Sequence, residues 1–507
     1  MPNVTLAAPQ SLRRRALLAA LLMFGFYVLA LGIVCILLYL PYAEMHYAHR
    51  LDGRLGIFAV VSAFAILHGV MPRVDRFRDP GPKLTAAGHP ELFALLSEVA
   101  KATGQTMPRD VFLVPDVNAW VAQRGGIMGF GSHRVMGIGF SLLHTISPAE
   151  LRAVLAHEFG HYHGGDTSLG PWLYKTRAAI ERTVRNLAHQ NSWVGRPFVW
   201  YGNSFLRITH GVSRQQEYAA DALAAKIAGP QNLASGLARI HAVGGLFDGY
   251  WSTEIGPLLE GGLRPAIADG FVHFLASPPV ADRRQEILEN QLNAAEPDVY
   301  DTHPPLGARL AALGVTSSET GLSDVSAISL LSRPDTMEEK LLAFFLSPEK
   351  LSRLRAVSWQ DVGTAFWVER WSETAAKNRE RLAGLTVGNL PELAAAPTRL
   401  PVRLGLVVAL DAPVSERQIA EACFLVAAAL AARLHETGWR VEALPGDEVR
   451  FRRGEAEIRP FGAVNGLFQQ KLSREEWARI WRTAGLANED LGAPESVDAD
   501  GLRQRSA

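Results

Sequence analysis

The chain has 507 residues, of which 48% are hydrophobic and 20% are charged, and its formal net charge is zero. This composition excludes a disordered chain and is typical of a folded protein of roughly two to four domains with a membrane contribution. Because there is no basic excess, no nucleic-acid partner is predicted. The two cysteines, Cys35 and Cys423, are too few and too far apart for a disulfide framework or a cysteine metal site. A metal would therefore need histidine and carboxylate ligands.

Two apolar runs predict a membrane anchor over residues 1–79. Residues 16–40 carry no charge and are long enough to span a bilayer, while residues 55–71 form a shorter second candidate. A signal peptide is the competing interpretation of the first run, but that run is unusually long and no small-residue cleavage site follows it. Basic residues on both flanks outnumber those in the loop, which predicts a multi-pass protein of the cell inner or plasma membrane with its flanks in the cytoplasm.

Residues 80–330 form the longest predicted domain. A Pro/Gly-rich linker and a helix come first, and three β-like stretches separated by glycine-rich turns then predict a small sheet near 111–114, 119–123 and 134–140. Ser147, followed by Pro148 and Glu150, fits the start of a capped helix that continues to about residue 163.

Further helices are predicted after residue 170. A stretch at 172–189 precedes one at 197–210, and the aromatic residues of the latter fit either a core helix or a helix resting on the bilayer surface. A second capped helix is predicted to start at Ser213 and to end at Gly229.

The C-terminal third predicts a helical linker at 331–397, a small α+β domain of unknown role at 398–490, and a flexible tail at 491–507. The small domain reads as strand, helix, strand, strand, with its first strand at 402–410. The predicted fold class is therefore α+β: an N-terminal transmembrane helical hairpin, a mainly helical domain with a small sheet, a helical segment and a small α+β domain.

A five-residue motif at 157–161 carries the predicted chemistry. His157 and His161 lie four residues apart on a predicted helix, so both imidazoles project from one face and can bind one metal ion. Glu158 lies beside that face, where it can take a proton from the water that the metal activates. Two imidazoles and a carboxylate suit zinc.

The third ligand has two candidate positions in the sequence. The spacing that would place a third histidine ten residues after His157 fails, because Thr167 occupies that position. Glu217 is the alternative, and Asp221 follows it by one helical turn. Glu217 can complete the metal site, and Asp221 can accept a hydrogen bond from a ligand imidazole and hold its tautomer.

Several segments resemble the HtpX-like membrane zinc metallopeptidases, to which the CAAX prenyl proteases are related. The resemblance covers about residues 111–313 and the N-terminal hairpin. It is carried by the segments 155–161, 213–221, 302–305 and 309–310, together with Asp166 and the run Asn118-Ala119-Trp120.

The resemblance implies a gluzincin-type fold, one Zn²⁺ per chain, protein or peptide substrates, and a cytoplasmic catalytic domain on the membrane. It implies that His303 and Arg309 stabilise the oxyanion, that Asp166 is a structural carboxylate, and that Asn118, Ala119 and Trp120 begin the strand that binds substrate. The family's two further membrane spans are not predicted here, because residues 175–185 carry five charges. His163 has no place in the family pattern. It is expected either to face solvent or to contact one of the metal-binding side chains.

The sequence thus predicts a membrane-anchored zinc endopeptidase with Glu158 as general base. A membrane-tethered scaffold that has kept the fold without the activity is one alternative, and a zinc hydrolase acting on a non-peptide amide is another. No feature specifies the oligomeric state, the substrate or the role of the C-terminal domain.

Overall fold

A computed structural model describes residues 9–50, 52–71, 74–126, 131–162, 170–188, 193–294, 304–315, 325–407 and 414–493. This part of the chain is mainly helical and contains small sheets, as the sequence predicts. The chain folds into two compact units. Unit 1 contains Met1–Phe247 and Arg283–Leu351, and unit 2 contains Asp248–Asp282 and Ser352–Ala507. The segment 331–397, predicted as a linker, is thus shared between the two units.

The helices of the described residues are, in chain order, α1 (Pro9–Tyr47), α2 (Gly53–Val70), α3 (Pro90–Thr103), α4 (Phe140–Thr145), α5 (Pro148–Gly160), α6 (Gly170–Ala188), α7 (Arg196–Ala228), α8 (Pro230–Tyr250), α9 (Gly256–Glu260), α10 (Ile267–Ala276), α11 (Pro278–Asn293), α12 (Leu306–Ala312), α13 (Pro334–Phe345), α14 (Pro348–Arg353), α15 (Trp359–Val362), α16 (Val368–Lys377), α17 (Arg379–Leu382), α18 (Leu390–Ala394), α19 (Arg399–Arg403), α20 (Glu416–Glu436), α21 (Pro460–Phe468) and α22 (Arg474–Ala484). The strands are β1 (Lys83–Leu84), β2 (Asp110–Val114), β3 (Ala119–Arg124), β4 (His133–Gly139), β5 (Leu263–Arg264), β6 (Arg355–Ala356), β7 (Arg440–Glu442), β8 (Arg450–Arg453) and β9 (Ala456–Ile458).

The predicted hairpin is formed by α1 and α2, which share an apolar core with α6 and the first half of α7. Buried members of this core include Phe26 of α1, Ile66 of α2, Ala179 of α6, and Phe198 and Phe205 of α7. The segments Ala20–Tyr47 and Gly53–Val70 are long and apolar enough to cross a membrane. Their outward faces expose large apolar side chains, which a bilayer would cover.

Helix α7 runs without a break from Arg196 to Ala228, so the helix start predicted at Ser213 is wrong. The residues of α7 that precede Ser213 are also helical, because Phe198 and Phe205 pack one face of this segment in the apolar core. Of the two interpretations of 197–210, the structure therefore supports a packed helix, although Trp200 remains 69% exposed on its outer side. Similarly, α5 ends at Gly160, three residues earlier than predicted.

The predicted small sheet of unit 1 is present, with the strand order β1-β2-β4-β3. Strand β4 pairs in parallel with β2 and antiparallel with β3. Strand β1 lies within the segment predicted as a linker and pairs with β2. Strand β3 therefore lies at the edge of the sheet. Gly137 of β4 leaves room there for the indole of Trp120, which would collide with any Cβ at that position.

Unit 2 contains an apolar core that extends from Val368 to Leu491. Helix α20 runs through it, and the antiparallel strands β7, β8 and β9 lie beside α20 with α21 and α22. By length and composition α20 is a third helix that could cross a membrane, but 67% of its apolar window is buried inside the protein. Most of its buried side chains belong to the apolar core of unit 2.

The strand predicted at 402–410 is wrong for the residues that the structure describes. Residues 399–403 form α19, and the rest of the described segment, up to residue 407, is not a strand. Leu400 and Leu404 are both fully buried and lie four residues apart, which is the spacing of one helical face. Gly405, with φ of 64°, then ends the helical stretch in the left-handed region.

Candidate metal centre

Helix α5 contains His157, ends directly before His161, and begins at a complete capping box. The Ser147 side chain accepts from the Glu150 backbone N–H, and the Glu150 carboxylate accepts from the Ser147 backbone N–H. Glu150 also accepts from Arg239 Nε of α8 at 3.0 Å, and both side chains are buried. The start of α5 is thus fixed to α8 by a buried, hydrogen-bonded ion pair at Glu150, two helical turns before His157.

The end of α5 lies against the middle of α7. A Cβ built on Gly160 would come within 3.0 Å of the Ala220 Cα, which is closer than ordinary van der Waals contact. Glycine at this position therefore lets the two backbones approach each other. This contact lies next to both His161 and the turn of α7 that contains Glu217 and Asp221, so it brings the predicted ligands together.

Both imidazoles face the Glu217 carboxylate. His157 Nε2 lies 3.4 Å from Glu217 Oε2, and His161 Nε2 lies 3.6 Å from Glu217 Oε1. The two rings are 4.7 Å apart and nearly perpendicular. Ligands held at 2.0–2.2 Å from a tetrahedral ion are separated from one another by about 3.3–3.6 Å. The separations between the Glu217 oxygens and the two Nε2 atoms are therefore those expected of ligands that share one ion.

Glu158 belongs to the same cluster. Ligand atoms of His157, Glu158 and His161 all lie within 4.8 Å of one another. His157 is 4% exposed, whereas Glu158 and His161 are partly exposed. In the described part of the chain, Glu158 and His161 are thus the members of this cluster that solvent reaches.

Asp221 contacts the Nδ1 atom of His157, while Glu217 faces its Nε2 atom. Asp221 Oδ1 lies 2.9 Å from His157 Nδ1, so this contact would hold the proton on Nδ1 when Nε2 binds a metal. Burial alone would lower the pKa of His157, but hydrogen bonds with Asp221 and Glu217 outweigh it and raise the pKa to about 9. Burial opposes the charge on Asp221 as well, yet hydrogen bonds from Arg309 and His157 hold its pKa below the usual value.

Arg309 of α12 closes the buried side of the cluster. It donates from Nε to Asp221 Oδ2 at 2.8 Å and from Nη2 to Asp221 Oδ1 at 2.6 Å. Nη2 also lies 3.6 Å from Glu217 Oε2 and 3.4 Å from the His157 ring nitrogens. The structure thus brings Arg309 to the site, where it pairs with the carboxylate behind His157. Its predicted oxyanion role stays a prediction.

The remaining predicted residues fall in two groups. Asn118 lies just before β3, and Ala119 and Trp120 open it, at the edge of the sheet. Asp166, His303 and His163 lie outside the described residues.

Sequence reasoning missed two neighbours of the site. Gly160 could have been recognised as a small residue on the face that meets α7. Tyr162 could not have been recognised from the sequence, because its partner is distant in the chain. Its hydroxyl donates to the Val121 carbonyl at 3.0 Å. Burial raises the pKa of Tyr162 to about 12.

Part of the chain is similar to a known peptidase family. The model of peptidase family M48 matches residues 87–316, a range that contains α5, the Glu217 turn of α7 and α12. Residues 87–316 of this chain are therefore similar to peptidase family M48. The resemblance to HtpX-like membrane metallopeptidases is thereby confirmed, and the family is metal-dependent.

Curated relatives support the same assignment. A protein named Protease HtpX homolog from Desulfatibacillum aliphaticivorans is 26% identical over 257 residues, which cover 46% of this chain and 70% of the relative. Proteins of the same name from Aeropyrum pernix and Pyrococcus furiosus are 28% and 27% identical, covering 50% and 46% of this chain and 81% and 75% of those relatives. No solved structure is significantly similar to the chain.

Proposed function

We propose that the protein is a membrane-anchored zinc-dependent endopeptidase of gluzincin type, with His157, His161 and Glu217 as metal ligands. One observation carries the proposal: the two oxygens of the Glu217 carboxylate face the two Nε2 atoms at 3.4 and 3.6 Å. Two imidazoles and one carboxylate are a donor set that zinc accepts, with a fourth position left for water. The match to a metal-dependent peptidase family supports the same conclusion.

The bound ion would supply Lewis acidity, which lowers the pKa of water towards neutrality and polarises the scissile carbonyl. Glu158 acts as the general base: its carboxylate takes a proton from the attacking water and later gives it to the nitrogen of the leaving amine. Asp221 keeps the proton of His157 on Nδ1, and Arg309 holds Asp221 through two hydrogen bonds. Arg309 is therefore proposed as a positioning residue, while His303 stays a candidate to stabilise the oxyanion.

The substrate is proposed to bind as an extended strand at the edge of the small sheet. Strand β3 ends the sheet, so main-chain groups on its outer side point away from β4. The segment Asn118-Ala119-Trp120 stands where this strand begins, and the partly exposed Glu158 belongs to the helix that contacts β3. The helices α1 and α2 are proposed to hold this unit at the cytoplasmic face of the membrane.

The test compares the full-length protein in detergent micelles with its Glu158→Gln variant on unfolded casein. Proton transfer by a positioned side chain contributes about 10²–10⁴-fold to rate, so we expect a loss of that size with the bound metal unchanged. Glu98→Gln, which alters an exposed carboxylate paired with Arg152, is the matched control. A chelator should abolish cleavage and added zinc should restore it.

The same experiment tests the alternative interpretations. A wild-type protein that binds one zinc ion and cleaves no casein or peptide would support the scaffold. Hydrolysis of small amides without cleavage of any peptide would support the non-peptide hydrolase. Full activity of Glu158→Gln would refute the assignment of the base.

A further inference from the structure

The outer edge of β3 can be described residue by residue. The Asn118 carbonyl accepts from the Gly139 N–H at 2.8 Å, so the main-chain groups of residue 118 point towards β4. Antiparallel pairing alternates along a strand, and the same orientation therefore applies to Trp120 and Ala122. The main-chain groups of Ala119, Val121 and Gln123 point outwards, to the side on which an added strand would pair.

Val121 is the first partly exposed residue in this outward set. Ala119 is only 1% exposed, so its main chain lies inside the protein. Beyond the strand, the Gly125 N–H donates to the Asp75 carboxylate at 3.0 Å, and the Asp75 N–H donates to the Gly126 carbonyl at 2.9 Å. The edge available to a peptide is therefore short, and the Val121 carbonyl lies at its start.

The Val121 carbonyl already accepts a hydrogen bond from Tyr162. Its hydroxyl donates to Val121 O at 3.0 Å, and its ring lies under the guanidinium of Arg134, 4.2 Å from the ring centroid. Arg134 belongs to β4 and donates to the Thr106 carbonyl at 3.2 Å and to the Gln105 side chain at 3.3 Å. The Tyr162 side chain is thus fixed against the sheet by two contacts, one from its hydroxyl to Val121 and one from its ring to Arg134. Tyr162 directly follows His161 in the chain.

We propose that Tyr162 is a specificity-determining residue, whose hydroxyl competes with the substrate main chain for the Val121 carbonyl and so limits how far an extended peptide can pair along β3. The proposal rests on the proposed peptidase function, because it assigns a role to a residue at the edge where the substrate binds. An incoming peptide N–H must displace the phenol hydroxyl and gains little net energy from the exchange. The wild-type enzyme therefore discriminates little between peptides that reach Val121 and peptides that stop short of it.

The experiment measures KM and kcat for a series of peptides of increasing length with the full-length wild-type protein, Tyr162→Phe and Tyr201→Phe. Removing the competing hydroxyl frees one carbonyl, and a net hydrogen bond is worth a factor of about two to ten in affinity. We expect the ratio of KM for short to long peptides to rise by that factor in Tyr162→Phe, mainly through KM. Tyr201→Phe removes another phenol that donates to a backbone carbonyl, that of Leu22, and should keep the wild-type ratio.

A scan of N-methylated peptides makes the result specific to one hydrogen bond. In the wild-type enzyme, methylating the amide that reaches Val121 should cost little, because the phenol already occupies the carbonyl. In Tyr162→Phe, that position should become sensitive, so the scan gains one sensitive amide. An unchanged length ratio together with the same set of sensitive amides in both proteins would overturn the proposal.

Binding measurements separate this proposal from the peptidase function itself. Fluorescently labelled long and short peptides are titrated into Glu158→Gln and into the double variant Glu158→Gln/Tyr162→Phe. A tighter Kd for the long peptide alone would support the role of Tyr162 even if casein were not cleaved. Cleavage of peptides by the wild type with identical binding by both variants would refute the role of Tyr162 and leave the peptidase proposal intact.

Discussion

Two helices supply the candidate metal centre, and they place their side chains in different ways. Helix α5 is short, begins at its own capping box, and ends at Gly160 immediately before His161. Helix α7 has 33 residues, and Glu217 lies well inside it, after a first half that packs in the apolar core with α1 and α2. The histidines thus depend on a locally capped helix, whereas the carboxylate depends on a long helix anchored at its distant end.

This difference explains why the sequence predicts the histidine pair directly, from its spacing, whereas it offers Glu217 only as a candidate for the third ligand. The spacing of His157 and His161 is a property of one helix turn. The position of Glu217 depends instead on where α7 crosses α5, and that crossing depends on the contact between Gly160 and Ala220. Substitutions in the two helices should therefore differ in what they disturb.

The largest effect is expected from Glu217→Ala. Removing this carboxylate leaves two imidazoles, and we expect the metal content to fall from about one ion per chain to well below one, with proteolysis lost. Metal analysis after dialysis against a weak chelator measures the effect. Glu181→Ala, which removes a 55% exposed carboxylate of α6, is the control and should retain its metal. Full metal content in Glu217→Ala would mean that α7 does not supply the third ligand.

An intermediate effect is expected from Arg309→Ala, which leaves Asp221 buried without its paired guanidinium. Breaking a buried ion pair costs about 3–5 kcal/mol, whereas an exposed pair contributes about 0–1 kcal/mol. We therefore expect a large loss in the free energy of unfolding, measured by urea denaturation of the chelator-treated protein.

Arg177→Ala provides the comparison for Arg309→Ala, because it removes the exposed partner of Glu181. It should change the free energy of unfolding little. If Arg309→Ala were equally mild, Arg309 would not be holding Asp221 in the folded protein. Its predicted oxyanion role would then be the better explanation of its position.

The smallest effect, and the sharpest contrast between the helices, is expected from two serine substitutions. Ser147→Ala removes the N-cap of α5 and should cost about 0.5–2 kcal/mol. Ser213→Ala should cost nothing or stabilise slightly, because α7 continues through this position and alanine has the higher helix propensity. Thermal unfolding of both variants measures the difference. A larger loss for Ser213→Ala than for Ser147→Ala would mean that α7 begins anew at residue 213.

Much of the local structure was predictable because its determinants lie close together in the chain. The capping box at Ser147 and Glu150 predicted the start of α5, and the two apolar runs predicted α1 and α2. The strand prediction at 402–410 failed in its described part, residues 402–407, where apolar residues alone were read as a β pattern. There Leu400 and Leu404 lie on one helical face, and only their packing in the core of unit 2 shows it.

Sequence by itself determined the spacing of His157, Glu158 and His161 and the apolar hairpin, because helical spacing and hydrophobicity are local properties. Only the tertiary structure decided which carboxylate oxygen faces which imidazole, that Arg309 pairs with Asp221, and that Tyr162 covers the Val121 carbonyl. These contacts join residues 41 to 88 positions apart in the chain. Their geometry follows from how α5, α7, α12 and β3 pack, and no sequence period encodes that packing.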